Sequence, residues 1–446
     1  GHVALTGQIL NLEDAYAPPP GAPFKINRSF DEQVGYRTKS MLVVPMRTPQ
    51  GETIGALQLI NCKPDFARRL ASVEEMERLV QPFSGRHEKL AGSLASQAAV
   101  ALSNSRLYES IRQLFEGFVK ASVTAIESRD PTTSGHSFRV ANLTVGLASA
   151  VDHVSTGPHG ATRFTTDEMM ELRYAALLHD FGKVGVRERV LVKAKKLYPG
   201  DLDRIRQRVE LVKRGLELRY AGKKIDYLLE KGRRRYQEQA AAYDAELAAY
   251  LAELDDSLTR IVMANEPALL PKDFAAEIER LAQRSFEDHV GGRHTVITPD
   301  EAAVLAIPRG SLTPEEIEQI QSHVVHTYQF LSQIPWTSEF RRIPEIARSH
   351  HEKLDGTGYP YGIKSDEIPV QSKIMTIADI YDALTAGDRP YKSAIPMDKA
   401  LDILNQERRA GRLDSALLDL FIEARVYERT ARPVTPREAD RRRSSQ

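Results

Sequence analysis

Two adjacent histidines, His350 and His351, precede a turn-forming segment in the stretch HHEKLDGTGYP. Imidazole nitrogens are common ligands of transition metals. Neighbouring residues on a helix point about 100° apart, so this pair can contact two metals, or one metal and a neighbouring ligand. Pro344 can begin a helix, and Ile346 and Ala347 lie one turn before the histidines. We therefore expect both rings to start from the buried side of that helix.

A second pair, His179 and Asp180, lies at the end of TTDEMMELRYAALLHDFGK. Thr165 and Glu168 form a capping box that predicts the start of a helix, and its apolar face leads to His179. Such a pair offers one metal-binding nitrogen and one carboxylate able to bridge two metals. Taken alone, a hydrogen-bonded core histidine is the more common explanation.

Three further segments carry residues of the same kinds. His323 lies among apolar residues in IQSHVVHTYQFL, and His136 begins a helix in DPTTSGHSFRV. Asp379 lies at the margin of a buried face in KIMTIADIYDALTAGDRPYK, where an unpaired carboxylate would be very costly. We expect His326 to neighbour the site or face solvent rather than bind metal. Seven residues are thus predicted to point inward: His136, His179, Asp180, His323, His350, His351 and Asp379.

These residues must be positioned mainly by helices. Residues 1–63 are predicted to be β-rich, with strands SMLVVPMR and TIGALQLIN, and residues 88–128 to form one long helix. That helix either pairs with a second copy or packs on its own domain. In the helical stretch 188–311, tyrosines recur every seven residues and predict a helical hairpin or short coiled coil. The tail 431–446 has almost no apolar residues and is predicted to be disordered.

Composition excludes several classes of protein. Lys plus Arg and Asp plus Glu both total 61, so the net charge is zero and nothing indicates a nucleic-acid polymer as partner. The single cysteine, Cys62, excludes an internal disulfide framework and fits a reducing, cytoplasmic compartment. The longest apolar runs are too short to span a membrane. The chain begins with Gly1 rather than Met, so we expect a fragment of a longer protein.

Several residues and motifs together resemble the HD-GYP domain, a branch of the HD phosphohydrolases. They are His136, the pair HD at 179–180, His323, the pair HH at 350–351, DGTGYP and ADIYDALTAGDRPYK. The resemblance covers about residues 112–187 and 311–425. It implies hydrolysis of cyclic di-GMP to pGpG at a metal centre, with further hydrolysis to GMP left open. Three N-terminal segments resemble the later half of a GAF domain: HVALTGQILNLEDAY, GYRTKSMLVVPM and GETIGALQLIN.

The resemblance assigns roles to residues. The seven inward residues would bind two divalent transition metals, iron or manganese by preference, since no thiolate is present. Asp180 would bridge the metals and activate a water together with them, and Lys183 would offset phosphoryl charge. Substrate would be held by Gly356, Gly358, Tyr359, Pro360, Arg389 and Lys392. Some relatives add a third metal through a glutamate before the first histidine; here Thr132 occupies that position, which favours two metals.

The expected architecture is α+β overall. It comprises a partial GAF-like α/β domain (1–87), a connecting helix (88–128) and an all-α HD-GYP domain (129–430) with a long helical insertion (188–311). We expect a homodimer through the connecting helix, and the insertion offers a site for a signalling partner. Two alternatives stay open: a phosphohydrolase for another cyclic dinucleotide, and a non-catalytic cyclic di-GMP sensor gated by the insertion.

Overall fold

The computed structural model describes residues 1–129, 134–271, 273–387 and 394–430. Contacts divide the chain into two compact units, Gly1–Phe118 and Val119–Gln446. The predicted tail, 431–446, lies outside the described residues. No described helix combines the length and apolar character needed to cross a membrane.

The first unit is built on a three-stranded antiparallel sheet. Its central strand β2 (Met41–Arg47) pairs with both β1 (Leu10–Leu12) and β3 (Thr53–Ile60), so the two predicted strands are confirmed. Alternate side chains of β2 face opposite sides of the sheet, as the pleat requires. Leu42 and Val44 pack against the long helix that follows, whereas Met41 and Val43 join a second apolar cluster. The helices of this unit are α1 (His2–Thr6), α2 (Ser29–Val34), α3 (Val73–Leu79) and α4 (Gly85–Glu127).

Helix α4 confirms the predicted long helix and contributes to both units. Its N-terminal part buries Ala91, Ala95 and Ala99, and its C-terminal part buries Val119, Val123 and Ile126. Between these two buried stretches, large apolar side chains of the helix are exposed, among them Leu107, Ile111, Leu114 and Phe118.

The second unit is predominantly helical. Helices α5 (His136–Asp152) and α6 (Thr166–Leu178) pack together, and the predicted capping box at Thr165 and Glu168 begins α6. A 3-10 helix, Phe181–Gly185, and the short α7 (Glu188–Leu191) follow α6. After the insertion come α12 (Pro314–Leu331), α13 (Ile343–Arg348), α14 (Val370–Thr385), α15 (Met397–Arg409) and α16 (Ser415–Glu423). Helix α14 packs on α5, and α12 packs on both α13 and the 3-10 helix.

The insertion has an apolar core of its own. Helices α8 (Pro199–Lys231) and α9 (Tyr236–Ala264) form the predicted hairpin, in which Tyr220 contacts the rings of Tyr243 and Tyr250. Helices α10 (Phe274–Gln283) and α11 (Pro299–Leu305) complete it. Sequence analysis did not predict the small antiparallel hairpin of β4 (Ser285–Glu287) and β5 (Arg293–Thr295), because strands this short carry almost no periodic signal.

The two ends of the insertion meet. The Ser311 hydroxyl donates a hydrogen bond of 3.0 Å to the Lys193 carbonyl. The Lys193 ammonium also lies 2.6 Å from the carboxylate of Glu316, which caps α12. The chain therefore leaves the helical domain and returns to it at one place.

Candidate metal centre

The structure brings the seven predicted residues together in one buried cluster. His136 begins α5, His179 and Asp180 follow α6, His323 lies within α12, His350 and His351 follow α13, and Asp379 lies within α14. Their ligand atoms form overlapping groups in which all atoms lie within 4.8 Å of one another. The groups comprise His136, His179 and Asp180; His179, His350 and Asp379; and His323, His350 and His351.

Three of the imidazoles are oriented by their own helical turn. His179, His323 and His350 each form a hydrogen bond from Nδ1 to the backbone carbonyl three residues earlier, at 2.7, 2.6 and 2.6 Å. A carbonyl only accepts, so Nδ1 carries a proton, and in the neutral ring Nε2 then keeps its lone pair. In all three rings Nε2 is buried without a hydrogen-bond partner among the described residues. Buried polar atoms are rarely left unsatisfied, so these nitrogens indicate a missing ligand.

The two carboxylates each face histidines in two directions. Asp180 Oδ2 lies 3.5 Å from His179 Nε2, whereas its Oδ1 lies 3.3 Å from His323 Nε2. Asp379 Oδ1 lies 3.2 Å from His136 Nε2, and its Oδ2 lies 3.9 Å from His351 Nδ1. Both side chains therefore have the geometry of a bridging carboxylate, a role that the sequence suggested for Asp180 alone.

Burial sets the protonation of the cluster. It lowers the pKa of His351 to about 3 and lowers those of His179 and His350, so these rings are in the neutral form that binds metal. Burial by itself would raise the pKa of Asp180, but the adjacent Lys183 ammonium holds that pKa well below its usual range. The Lys183 ammonium lies 2.7 Å from Asp180 Oδ2, next to the cluster as predicted.

His136 differs from the other histidines. Burial alone would lower its pKa, yet hydrogen bonds to Asp379 and Asp382 raise the pKa to about 9. Its Nδ1 lies 2.7 Å from Asp382 Oδ2, and Arg139 donates to both oxygens of that carboxylate, at 2.7 and 3.1 Å. Sequence analysis did not include Asp382 and Arg139 among the site residues. The available signal was a buried aspartate one turn after Asp379 and an arginine one turn after His136.

Asp382→Asn is expected to weaken metal binding about tenfold to a hundredfold, because a carboxylate behind a metal-binding histidine fixes the ring and raises its basicity. The substitution keeps the shape of the side chain but removes the charge that Arg139 and His136 share. Metal titration by calorimetry measures the effect. The matched control is Asp402→Asn on the exposed surface of α15, which should bind metal as the unmodified protein does; equal affinities for both variants would contradict the assignment.

The DGTGYP loop packs on the cluster. The ring of Tyr359 lies 4.7 Å from the ring of His351, tilted by 33°, and the Tyr359 amide donates to the His351 carbonyl. Gly358 allows this approach, since a Cβ there would lie 2.3 Å from the backbone nitrogen of Lys353. Gly356 has φ +81°, a conformation that favours glycine. The buried Glu352 accepts a hydrogen bond from the Tyr361 amide, just beyond Pro360.

Several other residues lie outside the cluster or outside the described residues. His326 belongs to none of the three groups. Its ring packs closely against Gly185, where an added Cβ would lie 2.4 Å from Nδ1 of His326. His294 pairs with Asp288 in the insertion at 2.8 Å. The predicted substrate residues Arg389 and Lys392, and Thr132 at the position tied to a third metal, lie outside the described residues.

The cluster fits a divalent transition metal. It combines imidazoles, neutral at His179, His350 and His351, with ionised carboxylates, and it contains no thiolate among the described residues. Nitrogen and oxygen ligands of this kind suit iron, manganese, zinc or nickel.

Comparisons with known proteins agree with this architecture. The GAF domain family matches residues 1–102, and two HD domain families match residues 133–263 and 292–417. The chain is thus similar to a GAF domain in its N-terminal part and to HD domains in the helical part that follows, where the histidine and aspartate cluster could hold a metal. An HD-GYP domain preceded by a GAF domain fits all of these matches and the motifs of the sequence.

Curated relatives match shorter parts of the chain. A 3'3'-cGAMP-specific phosphodiesterase 3 of Vibrio cholerae is 46% identical over 104 residues, 23% of this chain and 22% of that protein. A cyclic di-GMP phosphodiesterase of Thermotoga maritima is 41% identical over 92 residues, 20% of this chain and 24% of that protein. The cyclic di-GMP phosphodiesterase response regulator RpfG of Xanthomonas campestris is 38% identical over 135 residues, 29% of this chain and 33% of that protein. The similarity thus spans a third or less of each of these relatives.

Proposed function

We propose that this protein hydrolyses cyclic di-GMP to pGpG. The observation that carries the proposal is the buried cluster of five histidines and two aspartates, with the DGTGYP loop packed directly on His351. In the reaction, the oxygen of water joins one phosphorus, the bond from that phosphorus to the ribose 3′ oxygen breaks, and the 3′ oxygen takes a proton.

We propose two metals, because two of the ligand groups share no residue. His136 and His179 would hold one, and His323, His350 and His351 the other, with the carboxylates of Asp180 and Asp379 available to both. Bound metals would supply Lewis-acid stabilisation of the phosphoryl oxygens and lower the pKa of water. Iron and manganese are the metals that we favour.

The protein's own groups would position the substrate. Lys183 would offset charge on the phosphoryl oxygens, and its contact with Asp180 keeps the ammonium beside the cluster. Tyr359 would stack a guanine base on the face of its ring that does not contact His351. Arg389 and Lys392 remain proposed contacts to phosphate or guanine.

A second substrate is favoured by the comparisons, since three of the relatives are named 3'3'-cGAMP-specific phosphodiesterases. Assaying the metal-loaded protein on cyclic di-GMP, 3'3'-cGAMP and cyclic di-AMP, with chromatographic detection of products, separates the candidates. We expect the highest kcat/KM for cyclic di-GMP and pGpG as the first product. A preference for 3'3'-cGAMP would replace the substrate, and binding without hydrolysis would favour the sensor alternative.

We further propose that α4 pairs with the same helix of a second copy in parallel. Leu107, Ile111, Leu114 and Phe118 recur at spacings of four, three and four residues, which is the apolar pattern of a coiled coil. The side chains of Leu107 and Leu114 are 60% and 75% exposed, so a partner would bury most of their surface. Such pairing would let the GAF domain regulate the HD domain through α4. We also propose a cytoplasmic location for the protein and a signalling partner that binds the insertion.

Changing Leu107 and Leu114 together to Glu is expected to convert a dimer into a monomer, because the substitution places like charges across the contact. Light scattering at micromolar concentration measures the mass. Ser105→Glu adds a charge elsewhere on the same helix and should leave the dimer intact. An unmodified protein that is already monomeric would contradict the proposal.

A further inference from the structure

A surface groove next to α13 lies outside the metal-binding residues. Its volume is about 450 Å³, within the range of small-molecule sites, and it is lined by Tyr328, Trp336, Arg341, Glu345 and Arg348, among others. Arginine and large aromatic residues are the side chains that most often dominate binding energy.

The Arg348 guanidinium contacts two aromatic rings but no carboxylate among the described residues. Its guanidinium carbon lies 4.9 Å from the centre of the Tyr328 ring and 5.4 Å from that of Tyr361. Its Nε is buried without a hydrogen-bond partner among the described residues. Neither Arg348 nor Arg341 forms an ion pair within the described part of the chain. A planar guanidinium fixed between two rings is pre-organised to bind an anion with little loss of side-chain freedom.

The other lining groups complement an aromatic base. The Trp336 indole nitrogen donates to the Leu331 carbonyl at 2.8 Å, which fixes the ring at the wall of the groove. Trp336 and Tyr328 line the groove with aromatic rings, and the carboxylate of Glu345 offers an acceptor for the amino group of a base. Two arginines against one glutamate leave the groove with net positive charge.

We propose that this groove binds a nucleotide, with its phosphate on Arg348 and Arg341 and its base against the aromatic rings. The inference goes beyond the proposed hydrolysis because none of these residues belongs to the metal cluster. The ligand has two sources with the same chemistry: a free mononucleotide, or the outer half of a dinucleotide bound at the cluster. Arg348 precedes His350 by two residues, and Tyr361 follows Tyr359 by two, so the groove and the cluster are built partly from the same two segments.

Trp336 makes the groove directly measurable, because it is the only tryptophan of the chain. We expect saturable quenching of its fluorescence when GMP is added to the metal-loaded full chain. Guanosine, which lacks the phosphate, should bind more weakly. Arg348→Gln should weaken GMP binding about tenfold to a hundredfold, since charge-assisted hydrogen bonds to phosphate are lost. Arg409→Gln, an exposed change on α15, is the control and should bind normally.

Three results would overturn the inference: no saturable change with GMP, equal binding of guanosine, or unchanged binding by Arg348→Gln. If Arg348→Gln does not fold, as judged by circular dichroism, the exposed Arg341→Gln carries the same test. These binding measurements do not depend on turnover, so they separate failure of the groove from failure of the proposed hydrolysis. Competitive inhibition by GMP would identify the groove as part of the substrate site; a change in kcat alone would identify a separate site. Either inhibition pattern would support nucleotide binding in the groove.

Discussion

Replacing Asp180 with asparagine is expected to remove both metal and activity. The carboxylate lies among His136, His179 and His323, with its two oxygens directed to different rings. Asparagine keeps the shape but loses the charge that would hold two cations close together. Turnover should fall about 10²–10³-fold or more, the scale seen when a single charge-stabilising group is removed from an active site.

Elemental analysis and a hydrolysis assay on the same preparation measure both effects. Asp226→Asn, on the exposed surface of α8, is the matched control and should retain metal and turnover. Full metal occupancy in Asp180→Asn would show that this carboxylate is not a ligand.

Tyr359→Ala provides a contrasting variant, since Tyr359 is proposed to hold substrate rather than metal. It should keep its metals but lose about tenfold to a hundredfold in cyclic di-GMP affinity, the equivalent of one base-stacking contact. The Tyr359 ring also contacts His351, so the metal content of this variant tests whether the loop supports the cluster. Metal loss in this variant would show that the loop supports the cluster.

Gly182→Ala is expected to disrupt the site through the backbone alone. A Cβ on Gly182 would lie 1.9 Å from the carbonyl oxygen of His323 and 2.4 Å from the backbone nitrogen of Thr327. Thr327 connects the same elements, since its hydroxyl accepts from the Gly182 amide and donates to the His179 carbonyl. An added methyl group would therefore push α12 away from the segment that carries His179 and Asp180.

We expect Gly182→Ala to lower the free energy of unfolding by about 3 kcal/mol or more, at or above the upper end for overpacking. This corresponds to a melting temperature lower by roughly 4 °C or more for a unit of this size. The matched control is Gly222→Ala in α8, where a Cβ would meet nothing within 4 Å. That change should be neutral or stabilise by up to about 1 kcal/mol. Equal melting temperatures for the two variants would contradict the close packing.

Much of the architecture could be predicted from local patterns. Strands β2 and β3, helix α4 and the capping box of α6 all depend on residues close in sequence, which is why periodicity and capping signals revealed them. The inward positions of His179, His350 and His351 followed from the apolar residues one turn before them.

The remaining details depend on contacts between distant segments. The clamp of Arg139 on Asp382 joins α5 to α14, and no local pattern pairs two residues so far apart. The stacking of Tyr359 on His351 depends on how the loop folds back, whereas the sequence alone indicated only that glycines would permit a close approach. The carboxylate of Asp379 faces both His136 and His351 because α5, α13 and α14 pack together, and no local pattern predicts that packing.

The meeting of the insertion's two ends has a consequence for how the chain folds. His323 must join His179 and Asp180 although the whole insertion separates them in sequence. An unfolded loop of about 120 residues costs about 2 kcal/mol more to close than one of about ten, by the logarithmic dependence of closure entropy on length. Once the insertion has folded around its own core, the contact between Lys193 and Ser311 makes it equivalent to the short loop. The order of events along the folding pathway therefore determines how readily the two halves of the metal site come together.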